Sequence, residues 1–234
     1  MTRRAASVLR SAHLLLAWSL SAAADAADLG AQGVDPAAYE HLVEPRIVER
    51  ADERVLEVRA VGDPDEIGDA AFGLLFQLYF SSGAATGAAT GFTPPVARAR
   101  WQDGLDRIPR GEWIGRYALP IPEAVHSLPE HTAPDGVTAS IATWEYGTVA
   151  EILHIGPYDA ERPTIERLGA FVETEGYETV GGHEEEYVLG PTMAGPGDPD
   201  EYRTILRYGV RPTPSGRAPA VLPSTASPAA GRSR

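Results

Sequence analysis

The sequence contains no cysteine and no lysine. Without cysteine there can be no disulfides, thiolate metal ligands or cysteine nucleophiles. Without lysine, Schiff-base chemistry and a lysine general base are excluded. No apolar run is long enough to cross a bilayer, so no membrane span is expected. The phosphate-loop pattern G-x-x-x-x-G-K-[ST], the dinucleotide pattern G-x-G-x-x-G and the nucleophile elbow G-x-S-x-G are all missing. Positive charge is scarce as well. Twenty arginines face 33 acidic residues, a formal net charge of -13. A surface of that sign repels phosphate backbones, which predicts no direct nucleic-acid partner and favours cationic or neutral ligands.

What the chain does have is a repeat. Val55 to Gly62 reads V-x-E-[VI]-x-x-[VI]-G, and Val149 to Gly156, 94 positions later, reads the same. Each copy is followed by a turn, a helix-like stretch and two strand-like stretches. Duplication implies two similar halves facing one another, with the seam between them a natural ligand site.

The 234 residues suffice for a sizeable core. Residues 1–44 read as a possible signal peptide or disordered extension, followed by a linker. Arg3, Arg4 and Arg10 precede a short apolar stretch ending at Ala24-Asp25-Ala26. A cytoplasmic location is expected, with export through that segment as the alternative. Ile47 to Val61 reads as strand, and Glu66 to Phe80 as an amphipathic helix capped by Asp65. Ser81 to Gly91 reads as a flexible loop. Thr93 to Trp101 and Glu112 to Ile121 read as strands, and the Pro-rich 122–136 stretch as a crossover. In the second half, Val137 to Glu145 and Thr148 to Ile155 read as strands. Asp159 is the expected cap of a helix whose apolar face is Ile165, Leu168, Phe171 and Val172, ended by Gly176. His183 to Leu189 and Tyr202 to Arg211 close the unit. Residues 213–234, with almost nothing to bury, should be disordered.

The run Glu184-Glu185-Glu186-Tyr187 carries the strongest chemical signal. Alternation along a strand puts Glu185 and Tyr187 on one face and Glu184 and Glu186 on the other. An acid and a phenol facing a cleft can bind a cation or direct a water. The same run also fits a solvated acidic strand edge. His183 and Glu185 share a face, but no further histidine-rich segment joins them, so no metal site is expected. No cofactor is expected. His154 reads as a satisfied strand residue.

Ile155-Gly156-Pro157-Tyr158, the following helix, Gly176, Glu185-Glu186-Tyr187 and the closing strand resemble the GyrI-like small-molecule-binding domain. That domain also serves as the effector-binding half of some AraC-type and MerR-type regulators. The resemblance covers about residues 45–212 and is better in the second half. It implies an α+β fold of tandem strand–helix–strand–strand modules, about 45–121 and 137–212. They are related by a pseudo-twofold axis, with an antiparallel sheet and helices packed on one side. Carried over, Glu185 is the family's central cleft glutamate, Tyr187 its companion tyrosine, and Tyr158 the tyrosine of the G-P-Y turn. Trp101, on the symmetry-related strand, is the natural aromatic wall or else a core tryptophan. Trp113 and Tyr117 join the wall or the core. The usual acid after the E-x-Y run is displaced to Asp198-Pro199, beyond a longer Gly190 to Gly197 loop.

The resemblance implies a protein that binds an aromatic, cationic or hydrophobic small molecule, including multidrug-type ligands. Stand-alone members also resemble hydrolases that open the cyclopropane ring of alkylating natural products, using Glu185 and Tyr187. A protein-interaction role, such as docking on a topoisomerase, is the third possibility. The sequence leaves the oligomeric state open.

Overall fold

The computed structural model describes residues 35–85, 95–191, 197–214 and 222–223. The possible export signal, most of the two Gly-containing loops and most of the C-terminal tail lie outside those residues.

The strand expected over Ile47 to Val61 is two strands, β1 (Arg46–Arg50) and β2 (Glu53–Val61). Asp52 interrupts the run, and its carboxylate accepts from the Tyr146 amide at 3.1 Å. Helix α1 (Pro64–Ser81) begins earlier than its apolar stripe suggests. The cap is Asp63 rather than Asp65: its carboxylate accepts from the Asp65 amide at 3.0 Å, and Pro64 fills the first helical position. Strands β3 (Arg98–Trp101) and β4 (Ile114–Pro120) follow, both shorter than expected: β3 begins only at Arg98, and the second of two short 3-10 turns in the connection, Arg110–Glu112, delays the start of β4.

The second half contains β5 (Val137–Trp144), β6 (Gly147–Ile155), α2 (Arg162–Thr174), β7 (Tyr177–Leu189) and β8 (Arg203–Pro212). Asp159 does not cap α2. It sits in a 3-10 turn, Tyr158–Ala160, and Glu161 occupies the cap position without making a capping bond. Strand β7 is longer than expected because a bulge between Val180 and His183 lets pairing with β8 continue on both sides. Two stretches expected to be irregular carry structure. Pro36–Leu42 forms a 3-10 helix, and Leu222–Pro223 adds a short parallel strand, β9, beside β1.

Among the described residues nine strands form one sheet in the order β5-β2-β4-β3-β7-β8-β6-β1-β9, antiparallel except at β9. Without β9 the order is a palindrome of modules: β5 corresponds to β1, β2 to β6, β4 to β8 and β3 to β7. The leading strands are exchanged, since β1 pairs with β6 of the second half and β5 with β2 of the first. The halves are therefore tied at both flanks as well as at the central β3–β7 seam. The repeat extends to the turns. Gly62 and Gly156 both adopt positive φ, and their amides donate to the Trp113 and Tyr202 carbonyls, each at 3.0 Å. That conformation is open to glycine at little cost, which explains the final letter of the repeat.

The sheet is covered unequally. On one face α1 packs Ala71, Phe72, Leu75 and Leu78 against Leu56, Val58 and Leu119. On that same face α2 packs Leu168 and Val172 against Ala150, Ile152 and Leu206. The opposite face carries smaller clusters: Tyr39 and Leu42 on Leu153, Val188 and Ile205, and Val55 with Ala118 and Trp144.

Candidate functional site

The two modules meet where β3 runs antiparallel to β7, with Arg98 opposite Glu186, Ala99 opposite Glu185 and Arg100 opposite Glu184. Within the modules Arg98 pairs with Ala118 and Glu184 with Arg207. By that register Ala99 is the symmetry counterpart of Glu185, and the pseudo-twofold axis passes between them. Trp101 is likewise the counterpart of Tyr187. On one face of the seam two arginines meet two glutamates. On the helix-bearing face a single acid, Glu185, meets a methyl group.

The arginine–glutamate face is buried. Arg207 donates from Nε to Glu151 at 2.6 Å and from Nη1 to Glu184 at 2.8 Å and Glu186 at 2.6 Å. Arg100 bonds Glu184 at 2.8 Å, Arg46 bonds Glu151 at 2.6 Å, and Arg98 reaches both Glu186 and Glu53. Glu184 and Glu186 thus do not form a solvated acidic edge. Burial alone would raise the Glu186 carboxyl, but Arg98 and Arg207 outweigh it and hold it at about 2. A charge network this deep must be nearly complete to be tolerated.

The helix-bearing face holds the candidate site. Glu185 Oε2 accepts from the Tyr187 hydroxyl at 2.6 Å, and Oε1 accepts from His183 Nε2 at 2.9 Å. The Glu185 side chain keeps 14% of its surface exposed. Around it the rings form a continuous series. Trp113 contacts Trp101 (centroids 6.2 Å), Trp101 contacts Tyr117 (5.9 Å), and Tyr117 contacts Phe72 of α1 (4.7 Å). Phe72 then contacts Tyr187 (5.9 Å), Tyr187 contacts Tyr158 (5.6 Å), and Tyr158 contacts Tyr202 (5.2 Å). Burial, and next to it the neighbouring Glu185, pushes the phenols of Tyr117, Tyr158 and Tyr187 well above their ordinary value. They act as neutral hydroxyls.

All six residues singled out from the sequence fall on this arc, in different roles. Tyr187 and Glu185 form its hydrogen-bonded centre. Tyr117 is fully buried between Phe72 and Trp101 and supports the wall from behind. Trp113 spends its indole N–H on the Ile108 carbonyl at 2.9 Å. Trp101 is 9% exposed, and its indole Nε1 has no hydrogen-bond partner. His154 bonds Thr164 and the Pro157 carbonyl, and burial lowers its pKa. Among the described residues, no group of three or more His, Asp or Glu side chains is placed to hold a metal ion.

Sequence reasoning passed over Phe72, Tyr202 and above all Glu161. Glu161 is 6% exposed, and its Oε1 has no hydrogen-bond partner. Burial, reinforced by Glu185, raises its carboxyl to about 10. Thr204 lies beside it and opposes the shift, yet its hydroxyl is outside hydrogen-bonding geometry. The available signal was a charged residue at the entry of a helix, three positions after the G-P-Y tyrosine, where burial was to be expected.

A groove of about 560 Å³ lies at the seam, lined by Arg100, Arg116, Tyr146 and Glu184 from the arginine–glutamate side and also by Trp101 and His183. Arg100 there is engaged by Glu184 and stacked over Trp144 and Tyr146 at 4.2 and 4.4 Å. The groove is therefore walled largely by the structural ion network, and it meets the aromatic arc at Trp101 and the Glu185 hydrogen-bonded chain at His183.

No protein-family model matches the sequence, and no curated protein matches it. Solved structures do share its fold. A hydrolase from Listeria innocua encoded by lin2189 is 19% identical, with a TM-score of 0.57 over 76% of this chain and 96% of its own. An uncharacterized conserved protein from the same organism is 22% identical, with a TM-score of 0.57 over 76% of this chain and 97% of its own. A further Listeria innocua hydrolase is 20% identical, with a TM-score of 0.55 over 72% and 92%. With two strand–helix–strand–strand modules about a pseudo-twofold axis, the chain has the GyrI-like fold.

Proposed function

We propose that this protein binds a small aromatic cation on the helix-bearing side of the module seam. Glu185 offsets the ligand's charge, and the rings of Trp101, Tyr158 and Tyr187 hold its planar part. The observation that supports this reading best is the lone acid on the pseudo-twofold axis inside an arc of seven aromatic rings. Such a face attracts cations through the ring quadrupoles, worth about 0.5–2 kcal/mol per ring depending on desolvation. Glu185→Gln keeps the shape and removes the charge. Titration with a planar aromatic cation should show at least a tenfold loss of affinity in that variant. Equal binding by both proteins would refute the reading.

One contact pattern favours a second reading, a hydrolase for strained cyclopropane rings. His183, Glu185 and Tyr187 form a hydrogen-bonded chain able to take a proton from water and return one to a leaving group. Two Listeria innocua proteins of the same fold are described as hydrolases. Turnover of a cyclopropane-bearing alkylating compound, lost in Glu185→Gln, would select this reading; tight binding without product would select the first.

A further inference from the structure

Three buried side-chain atoms on the helix-bearing side lack partners. Trp101 Nε1 is a donor on the first module; on the second, Glu161 Oε1, a carboxyl oxygen, lies beside the equally unbonded Thr204 Oγ1. A polar atom buried without a bond costs about 1–3 kcal/mol, so such atoms mark positions where something else completes the bonding. Glu161 belongs electrostatically to the arc. Its charge acts on Tyr158 and Tyr208, as does that of Glu185, and the two acids act on one another. Its amide donates to the Tyr158 carbonyl at 3.3 Å, which fixes the start of α2 beside the Tyr158 ring. The groups around it are Tyr158 from the turn, Thr204 and Tyr208 from β8, and Glu185 from β7. None of these is a cation. As a helix cap Glu161 does nothing, because it makes no side-chain capping bond.

We infer that Glu161 is a second ligand carboxyl, which accepts a hydrogen bond from an N–H group of the bound cation while Glu185 offsets its charge. This rests on the reading of the arc as a cation site and narrows the ligand class. The preferred ligand is a planar aromatic cation that carries its charge on an N–H, such as a protonated ring nitrogen or an amidinium. A quaternary cation of the same shape has no donor for Glu161 Oε1 and leaves that oxygen buried and unbonded. A hydrogen bond to a charged group contributes enough to give a preference of about tenfold to a hundredfold.

The acridine orange cation has a single N–H, on its ring nitrogen, and its N-methyl derivative has none. Both are fluorescent and carry one positive charge. Fluorescence titration of the full chain should show tighter binding of the N–H form. Glu161→Leu should weaken the N–H form at least tenfold and change the N-methyl form less than twofold. Glu185→Gln should weaken both. Glu161→Leu should also raise the melting temperature of the ligand-free protein, because an unbonded buried carboxyl is removed; a purely structural glutamate would give a loss. If Glu161→Leu leaves both affinities unchanged while Glu185→Gln lowers both, the inference fails and the cation site stands. If neither cation binds the unaltered protein, or Glu185→Gln alters neither affinity, the cation site fails and the inference falls with it.

Discussion

Ala99 faces Glu185 across the central strand pair, at the point where the pseudo-twofold axis relates one module to the other. Strict symmetry would place two acids there. One module supplies a methyl group instead, so a single carboxyl projects into the arc without a like charge opposite it. Ala99→Glu tests this directly. Ala99 is fully buried, so the larger side chain alone should cost about 1–3 kcal/mol. The loss should grow from near pH 5 to near pH 8, because two carboxyls in one place cannot both ionise cheaply. Urea midpoints at the two pH values would measure it; a pH-independent loss would contradict the argument.

Arg207 holds three buried glutamates at once. Arg207→Met should therefore leave uncompensated charge and cost about 3–5 kcal/mol, more than any surface pair can. Arg211→Met is the internal control. Its bridge to Glu178 is largely exposed, and its loss should stay within about 0.5 kcal/mol. Similar losses in chemical denaturation for both variants would show that the network contributes nothing special.

Stability should fall both below and above about pH 4.5, for separate reasons. Glu186 is held at about 2, below its ordinary 4.5. A depressed acid contributes stability above its unfolded value, and that contribution is lost as pH falls from about 4.5 towards about 2. Glu161 is raised to about 10. A raised acid contributes below its unfolded value, and stability declines as pH climbs from about 4.5 towards about 10. The alkaline slope approaches about 1.4 kcal/mol per pH unit at most. Glu161→Gln should flatten that limb and leave the acid limb in place, as read from denaturation midpoints across the range.

Gly182 sits in the β7 bulge, where a Cβ would lie 1.8 Å from the Trp101 carbonyl oxygen. Backbone cannot yield to that contact, so Gly182→Ala should part the β3–β7 seam and cost more than about 2 kcal/mol. Gly169, in α2, has open space around it. Gly169→Ala should instead stabilise by about 0.5–1 kcal/mol through helix propensity. Thermal melts of the two variants should move in opposite directions.

Legibility varied with how local the cause was. The apolar stripe of α1 and the V-x-E repeat were visible because each depends on spacing within one segment. The α1 cap was misplaced by two positions, since Asp63-Pro64-Asp65 offers two acids and only the extended backbone at Asp63 allows the capping bond. The division of the three glutamates, Glu185 on one face and Glu184 and Glu186 on the other, was also visible, from alternation alone. Their fates were not. Glu184 and Glu186 are buried because Arg98 and Arg100 lie on the facing strand, 84 to 88 residues away in sequence.

The sequence by itself determined the two-module plan, the face on which Glu185 and Tyr187 project, and the exclusion of thiol and lysine chemistry. These follow from residue type and periodicity, which act within a few positions of each residue. Only the tertiary structure decided that the leading strands exchange modules, that Arg207 sits at the centre of a buried ion network, and that Glu161 is buried with an oxygen unbonded. Strand register and burial depend on which distant segment lies alongside, and a pattern confined to one segment carries no record of its neighbour.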